Sequence, residues 1–283
     1  MRVISLLPAA TEIVAALGAG GRLVGVTHEC DYPPEVRSLP RVTRSRLDPG
    51  LSSSEIDRAM ADARRTGVAA VELDAALVAR LRPDVIIGQA VCDVCAVGEA
   101  ELGRLVTALM PTPWIVTLHA HTLDGVVADI GKVGEALELR DEAEELVAGL
   151  RYRLRRVRLA NAARPTAPSV LVLEWLDPPY VAGHWVPELV ALAGGRDVGN
   201  VPGARSVPRS WRELSSLAPD VVLEALCGFD ADRGRRDVAQ VADRDARGVL
   251  GRRVEFLDGN AYTSRPGPRL VDAAEILARL IHG

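Results

Sequence analysis

The amino-acid sequence predicts an α/β protein of two lobes, each with a parallel β-sheet, bridged by a single long helix. Apolar, β-rich runs alternate with amphipathic helical runs along the chain, and this order predicts parallel strands joined by right-handed helical crossovers. The second half of the chain repeats the order of the first half, and a charged helical segment separates the two. We therefore expect two similar lobes.

The predicted strands are apolar over nearly their whole length, as in Val3-Ile-Ser-Leu-Leu7 and Ser169-Val-Leu-Val-Leu173. Strands that are covered by helices on both faces have this pattern, whereas strands with one solvated face alternate between apolar and polar residues. The strands predicted on this basis are residues 2–7, 24–27, 83–87, 114–118, 169–174, 219–223 and 254–257.

Helical runs lie between these strands, and the first of them stops at glycine. The predicted helices are residues 13–17, 76–81, a run from Thr122, 188–193, 211–217 and 268–281, with a short helix near 54–65. Gly18-Ala-Gly-Gly21 follows the first helix and does not open one, so its amides cannot hold a pyrophosphate. These glycines are expected to end the helix.

The segment between the halves has acidic residues at its start, within 142–145, and five arginines at its end, within 151–158. Acidic residues at the start and basic residues at the end stabilise a helix by interacting favourably with its dipole. The basic run is therefore interpreted as the solvated end of a helix. We expect an N-terminal α/β lobe over residues 1–138, a backbone linker helix over 139–163 and a C-terminal α/β lobe over 164–283.

The composition argues against several classes of protein. The 283 residues carry a formal net charge of −4, whereas a nucleic-acid-binding protein normally has a concentrated basic face. No run approaches the roughly 20 apolar residues of a membrane-spanning helix. The first residues read as a strand and not as a leader, so we expect a cytoplasmic monomer, or a periplasmic or cell-surface protein if a leader has been removed.

Ligands of open parallel sheets bind beyond the carboxyl ends of the strands, and two lobes that face each other would share one cleft there. Six of the ten aromatic residues follow predicted strands, which is typical of a recognition surface for a flat or bulky solute. The residues expected to contact the ligand are Pro8, His28, Tyr32, Gln89, Trp175, Asp177, Tyr180, His184, Trp185, Phe229, Tyr262 and Arg265.

Several of these residues have a second interpretation. Trp175 and Trp185 could pack against their own sheet. His184 could bind a metal in the solute, donate a hydrogen bond or serve the structure. Arg265 could contact the ligand, or cap a carbonyl or pair with an acid. His119 and His121 alternate at one strand end, so they are expected to point in opposite directions.

The four cysteines leave three alternatives open. Cys92-Asp-Val-Cys95 has the spacing of half a zinc site. If the cleft closes, Cys30, His28 and Cys227 could complete this site for zinc or iron. The same pair could act as a redox couple. The thiols could also be structural or contact the ligand.

Signatures of catalysis are weak in this sequence. It has no phosphate-binding loop of the Walker type and no nucleophile elbow. We therefore expect a protein that is not an enzyme and requires no cofactor. The alternative is an enzyme that reuses the cleft, with Glu174, Asp177 and His184 as acid–base candidates.

The start of the chain, residues 2–18 with 23–27 after it, is similar to the N-terminal signature of a known family. Pro83-Asp-Val-Ile86 and Pro219-Asp-Val-Val222 match the repeated third strands of that family. The chain thus resembles, over nearly its whole length, the class III solute-binding proteins of iron-chelate and vitamin B12 ABC importers. The resemblance implies two Rossmann-like lobes bridged by one helix.

Within this family the sequence is most similar to a subgroup labelled cobalamin-binding, through residues 28–33, 92–97, 174–180, 183–187 and 265–269. The resemblance implies a corrinoid or related metal tetrapyrrole or metal chelate held between the lobes, with aromatic side chains against the macrocycle. It also implies an ABC permease as a partner. Besides an enzyme that reuses the cleft, the other alternative to solute binding is a cytoplasmic metal-ion or metal-cofactor handling protein that uses the Cys/His loop residues.

Overall fold

A computed structural model of the chain describes residues 1–48, 50–89, 103 and 109–283. It contains two compact units. The N-terminal unit comprises Met1–Leu51, Arg58–Ala120 and Asp124–Gly149, and the C-terminal unit comprises Ser52–Asp57, His121–Leu123 and Leu150–Gly283.

The N-terminal unit contains a sheet of four parallel strands in the order β2-β1-β5-β6 and a separate antiparallel pair, β3 and β4. Burial of β1 and β5 on both faces agrees with their continuous apolar sequence. The strands are β1 Val3–Ser5, β2 Leu23–Val26, β3 Thr43–Ser45, β4 Val71–Leu73, β5 Val85–Gln89 and β6 Trp114–Leu118.

Five helices follow in the described part of the chain up to residue 162: α1 Pro8–Ala16, α2 Ser53–Thr66, α3 Ala75–Leu81, α4 Leu123–Ala136 and α5 Arg140–Ala162. Helix α1 starts earlier than predicted because Pro8 takes its first position. A residue there donates no hydrogen bond within the helix, so the missing N–H of proline costs nothing. Gly18 follows its last turn with φ 74°, as predicted for a helix stop.

The C-terminal unit contains a mixed sheet in the order β10-β8-β7-β11-β12, with β9 beside the start of β7. Strands β7, β11 and β12 are parallel. Strand β8 pairs antiparallel with β7, and β10 pairs antiparallel with β8; the sequence predicted neither of these two strands. The strands are β7 Ser169–Leu176, β8 Pro179–Val181, β9 Arg196–Asp197, β10 Val207–Pro208, β11 Val221–Glu224 and β12 Arg253–Phe256.

The helices that follow β8 in this unit are α6 Val186–Leu192, α7 Trp211–Ser216, α8 Ala231–Gln240, α9 Arg247–Leu250, α10 Gly259–Tyr262 and α11 Leu270–His282. Helix α5 has 23 residues, which corresponds to roughly 35 Å. Its Arg153 donates to Asp272 at 2.6 Å and to Glu275 at 2.8 Å, and both acids belong to α11.

Each unit buries its own apolar cluster on its own sheet. The N-terminal cluster includes the fully buried Ile4 and Ile86, and the C-terminal cluster includes the fully buried Leu171, Leu173 and Val222. The predicted α/β class with parallel sheets is confirmed, whereas the exact lobe boundaries stay a prediction. Among the described residues, no helix has both the length and the apolar character that crossing a bilayer requires.

Candidate functional site

The end of β1 in the N-terminal unit leads into a buried chain of hydrogen bonds. The Thr11 hydroxyl donates to Ser5 Oγ at 2.8 Å, and the Ser5 hydroxyl donates to the Leu7 carbonyl at 2.8 Å. Cys30 Sγ lies 3.0 Å from Thr11 Oγ1. Because the Thr11 hydroxyl already donates its proton to Ser5, the Cys30 thiol is the donor in this contact. Only 1% of Cys30 is exposed, and this burial favours the structural interpretation of the thiol.

His28 follows β2 and is half-buried beside Thr43. Its Nδ1 lies 2.8 Å from Thr43 Oγ1, and its backbone N–H donates to the same oxygen at 3.0 Å. Arg41 donates to the carbonyls of Thr27 and Cys30, which fixes this loop. Burial, and then the charge of Arg41, lower the pKa of His28, so the imidazole is neutral at pH 7.

The other predicted ligand contacts of this unit are dispersed along the chain. Pro8 starts α1, Gln89 ends β5, and Tyr32 has 45% of its surface exposed in the loop after Cys30. The prediction that these three side chains contact a ligand stays a prediction.

The proposed metal ligands fall partly on residues that the structure leaves undescribed. Cys92 and Cys95 lie outside the described residues, whereas Cys30 and His28 are placed as above. Within the described ranges there is no group of three or more His, Cys, Asp or Glu side chains that could hold a metal ion. The metal site therefore stays a prediction.

The C-terminal unit forms a β-hairpin where the sequence predicted a loop. Strand β7 continues through Trp175 and Leu176, and β8 returns antiparallel to it, with Trp175 opposite Tyr180. Asp177 is exposed in the turn between the strands. The loop prediction for residues 175–181 was wrong because Pro178 and Pro179 look like loop residues. Pro178 lies in the turn, whereas Pro179 is the first residue of β8, a position in a strand that tolerates proline.

Three side chains stack where β7 and β11 end. The rings of Trp175 and Phe229 have centroids 5.7 Å apart at an interplanar angle of 28°, and the Arg233 guanidinium carbon lies 4.5 Å from the Phe229 centroid. We call Trp175, Phe229 and Arg233 the aromatic cluster. Two of its members come from separate strand ends, as the sequence predicted for residues that share one edge of a parallel sheet.

Two polar residues complete a closed ring of contacts around this cluster. Arg233 Nε donates to Asp237 Oδ1 at 2.7 Å, one turn further along α8. Ser53 Oγ donates to Asp237 Oδ2 at 3.1 Å, and Trp175 Nε1 donates to the Ser53 carbonyl at 3.3 Å. The ring fixes the orientation of the indole and of the guanidinium.

His184, a predicted ligand contact, lies in the segment after β8. Its φ of 54° lies in the left-handed region, which is uncommon for a residue with a side chain. Its N–H donates to the Ala204 carbonyl at 2.6 Å, and its carbonyl accepts from Gly203 N–H at 2.9 Å. These bonds stabilise the conformation, and such strained positions occur often at functional sites.

The imidazole of His184 stacks on that of His121, with centroids 5.3 Å apart at 26°, and lies 5.5 Å from the Trp185 ring. Burial is the first cause of a lowered His184 pKa, followed by the charges of His121 and Arg205. His184 is therefore a neutral imidazole at pH 7, with a nitrogen lone pair that could accept a proton or bind a metal.

Two predicted ligand contacts are almost fully buried in the C-terminal unit. Trp185 is 6% exposed, and its Nε1 donates to the Thr263 carbonyl at 2.9 Å. Arg265 is 3% exposed and donates to Asn260 Oδ1 at 2.9 Å. This burial favours the structural interpretation of both side chains. Tyr262 is partly exposed, with the Arg269 guanidinium carbon 5.7 Å from its ring.

A shallow depression of about 570 Å³ in this unit is lined by residues 196–201 with Ser216 and Leu217. It includes Arg196, which pairs with Ser169 at the start of β7. The depression therefore belongs to the amino end of this strand, whereas Trp175 and Phe229 lie at the carboxyl ends, where ligands of parallel sheets bind.

The sequence did not predict a role for Ser53, Arg233 and Asp237. Arg233 and Asp237 have the i, i+4 spacing of a helical ion pair, which could have suggested that α8 presents them together. Ser53 carried no signal, since its partner Asp237 is 184 residues away in the sequence.

The chain matches the family described as periplasmic binding protein over residues 3–245. A vitamin B12-binding protein of Vibrio cholerae is 25% identical over 280 residues, which cover 97% of this chain and 86% of that protein. An uncharacterized ABC transporter substrate-binding lipoprotein of Bacillus subtilis is 23% identical over 296 residues, covering 99% and 80%.

Solved structures with the same fold include a periplasmic heme-binding protein from Roseiflexus sp. RS-1. It is 25% identical, with a TM-score of 0.71, and the match covers 99% of this chain and 97% of that one. The relatives thus include proteins named for vitamin B12 and for heme. Because the family match spans most of the sequence and agrees with the observed α/β architecture, this chain belongs to the periplasmic binding protein family.

Proposed function

We propose that this chain is a solute-binding protein for cobalamin or a related metal tetrapyrrole, and that the aromatic cluster contacts the ring of that ligand. The observation that carries the proposal is the stack of Trp175, Phe229 and Arg233 at the carboxyl ends of β7 and β11. The interlobe cleft predicted from the sequence stays a prediction.

The chemistry of the cluster suits a flat macrocycle. Indole and phenyl rings offer large apolar area with few rotatable bonds, so ordering them costs little entropy on binding. Arg233 adds a cation that can interact with a π-system or with a polar substituent at the ring edge. All three side chains are only partly buried, so they retain surface that a ligand could cover.

The metal centre of the ligand is a second point of recognition. Neutral imidazole is a common ligand of cobalt and iron, and His184 is held neutral by its surroundings. Because relatives are named for vitamin B12 and for heme, we propose a ligand from the class of metal tetrapyrroles, and cobalamin is the first candidate.

The proposal is tested by titrating the purified protein with cyanocobalamin and, separately, with hemin while tryptophan fluorescence is recorded. One of the two should quench the emission in a saturable manner at micromolar concentration. Trp175→Leu should weaken binding about tenfold, which corresponds to about 1.4 kcal/mol. Trp114→Leu is the matched control, because Trp114 is 54% exposed in the N-terminal unit and should not change the affinity.

Calorimetry with the same two ligands provides a readout that does not depend on tryptophan. If neither ligand binds at about 100 µM, or if both substitutions have the same effect on affinity, the proposal is wrong.

The family also bears on partners and location. Since a relative is named as an ABC transporter substrate-binding lipoprotein, we propose that this chain delivers its solute to an ABC permease and acts outside the cytoplasm. The relatives lend no support to the cytoplasmic location expected from the sequence. That the protein is monomeric and not an enzyme stays a prediction.

The metal-handling alternative predicts stoichiometric zinc or iron in protein purified without chelator. Elemental analysis of the wild type and of a Cys92→Ser, Cys95→Ser variant separates the two proposals. Metal that is lost in the variant would favour the alternative, and protein free of metal would end it.

A further inference from the structure

Glu224 is the last residue of β11 and lies at the centre of the C-terminal sheet. It pairs with Leu173 of β7 and with Phe256 of β12, and 0% of its surface is exposed. Its backbone carbonyl accepts the N–H of Leu257 at 2.8 Å. Among the described residues, neither oxygen of its carboxyl group has a hydrogen-bond partner.

The carboxyl group of Glu224 packs directly against the backbone of helix α8. A β-carbon added at Gly234 would overlap both carboxyl oxygens and the carbon between them. Gly234 is itself buried, so glycine at this position permits the close approach of helix and carboxyl group.

The charged groups that act on Glu224 come from α8 as well. Asp237 disfavours the ionised carboxylate and Arg235 favours it. Arg235 lies over the Phe256 ring at 5.0 Å and donates to Asp232 at 2.9 Å, so its guanidinium is directed to other partners. Burial, as the first cause, raises the pKa of Glu224 to about 8, and the group is mainly uncharged at pH 7.

We infer that Glu224 is a positioning residue: in its uncharged form it allows α8 to lie against the sheet, and α8 in turn places Arg233 in the aromatic cluster and Asp237 beside it. A buried carboxylate without a hydrogen-bond partner is costly, and water reaches it only if the helix moves away. Ionisation of Glu224 therefore displaces α8 and breaks the contacts of Arg233 with Phe229 and of Asp237 with Ser53.

This inference concerns the ligand-free protein, so it does not depend on the proposed ligand. The readout is the fluorescence of Trp175, taken as the difference between a Cys227→Ser protein and its Trp175→Phe derivative. Cys227 is replaced because its exposed thiol is close in sequence to Phe229. The pH is varied between about 6 and 9.5, which brackets the pKa of Glu224.

The difference emission should change once, with a midpoint near pH 8. Glu224→Gln, which keeps the shape and never ionises, should abolish the change and keep the signal of the lower pH throughout. Glu255→Gln on the adjacent strand is the matched control and should titrate as the parent does. A parent without this transition, or a Glu224→Gln protein that retains it, would overturn the inference.

A second measurement on the wild type needs no substitution at Glu224. Carbon-13 NMR of the glutamate side-chain carboxyl groups, assigned through the backbone, should show Glu224 titrating near pH 8. A Glu224 midpoint below about pH 6, within the ordinary spread for glutamate, would contradict the inference even if the glutamine variant failed to fold.

Discussion

The guanidinium of Arg233 lies over the ring of Phe229 at 4.5 Å while its Nε donates to Asp237, so a single side chain connects helix α8 to the aromatic cluster. The side chains of Arg233 and Asp237 are 19% and 11% exposed, so their ion pair is largely protected from solvent. This arrangement explains why a polar helix can position an aromatic stack.

Replacing Arg233 should therefore weaken the C-terminal unit. We expect Arg233→Met to lower the free energy of unfolding by about 2 kcal/mol, because it removes a cation–π contact and leaves Asp237 without its cation. Arg236→Met is the control, since Arg236 is an exposed arginine on the same helix and should change the stability by less than about 0.5 kcal/mol. Urea unfolding measures both, and equal effects would contradict the assigned role.

Trp185 should contribute to the stability of the fold, whereas Trp175 should contribute to ligand affinity. Trp185→Phe leaves the buried Thr263 carbonyl without its donor, so we expect it to lower the free energy of unfolding by about 2 kcal/mol. Ligand affinity should remain within about twofold of the wild type, because Trp185 is almost fully buried. Thermal or urea unfolding and a ligand titration test the two halves of this prediction. A variant that keeps its stability but loses its ligand would reverse the assignment.

The histidine pair predicts a pH dependence on the acidic side. Because the pKa of His184 is lowered from 6.5, the folded state favours neutral imidazole, while the unfolded chain takes up a proton below about pH 6.5. The contribution of His184 to stability is thus fully present above pH 6.5. It is lost as the pH falls from there to the folded-state pKa.

NMR titration of the five histidines measures this directly. The His184 midpoint should lie below 6.5, and His121→Gln should raise it part of the way because burial, the larger cause, remains. His119→Gln, at the same strand end, is the control and should leave it unchanged. A His184 midpoint at or above 6.5 in the wild type would show that the imidazole is not held neutral.

Much of the fold follows from local sequence pattern. Strand β6 has the predicted bounds, and α2, predicted near 54–65, runs over Ser53–Thr66. Such elements are determined by the apolar period and by end signals that lie within a few residues. The hairpin β7–β8 was not predicted, because it depends on prolines that resemble a loop and on pairing that only the folded sheet supplies.

The part of the candidate site that depends on local sequence pattern was also predictable. Trp175 and Phe229 stand out as aromatic residues after predicted strands, and parallel topology then brings them to one edge. The contact of Ser53 with Asp237 joins residues 184 positions apart, and no local pattern encodes it. The burial of Trp185 and Arg265 likewise depends on packing around them, so the sequence left two interpretations open for each.

Native mass spectrometry shows directly whether this chain binds a metal tetrapyrrole. The purified protein is mixed with cyanocobalamin or hemin at about 10 µM, near the affinity expected of a specific site. We expect a complex of one protein and one ligand, much reduced in Trp175→Leu and unchanged in Trp114→Leu. Spectra that contain only free protein with both ligands, or a complex that forms equally well in Trp175→Leu, would contradict it.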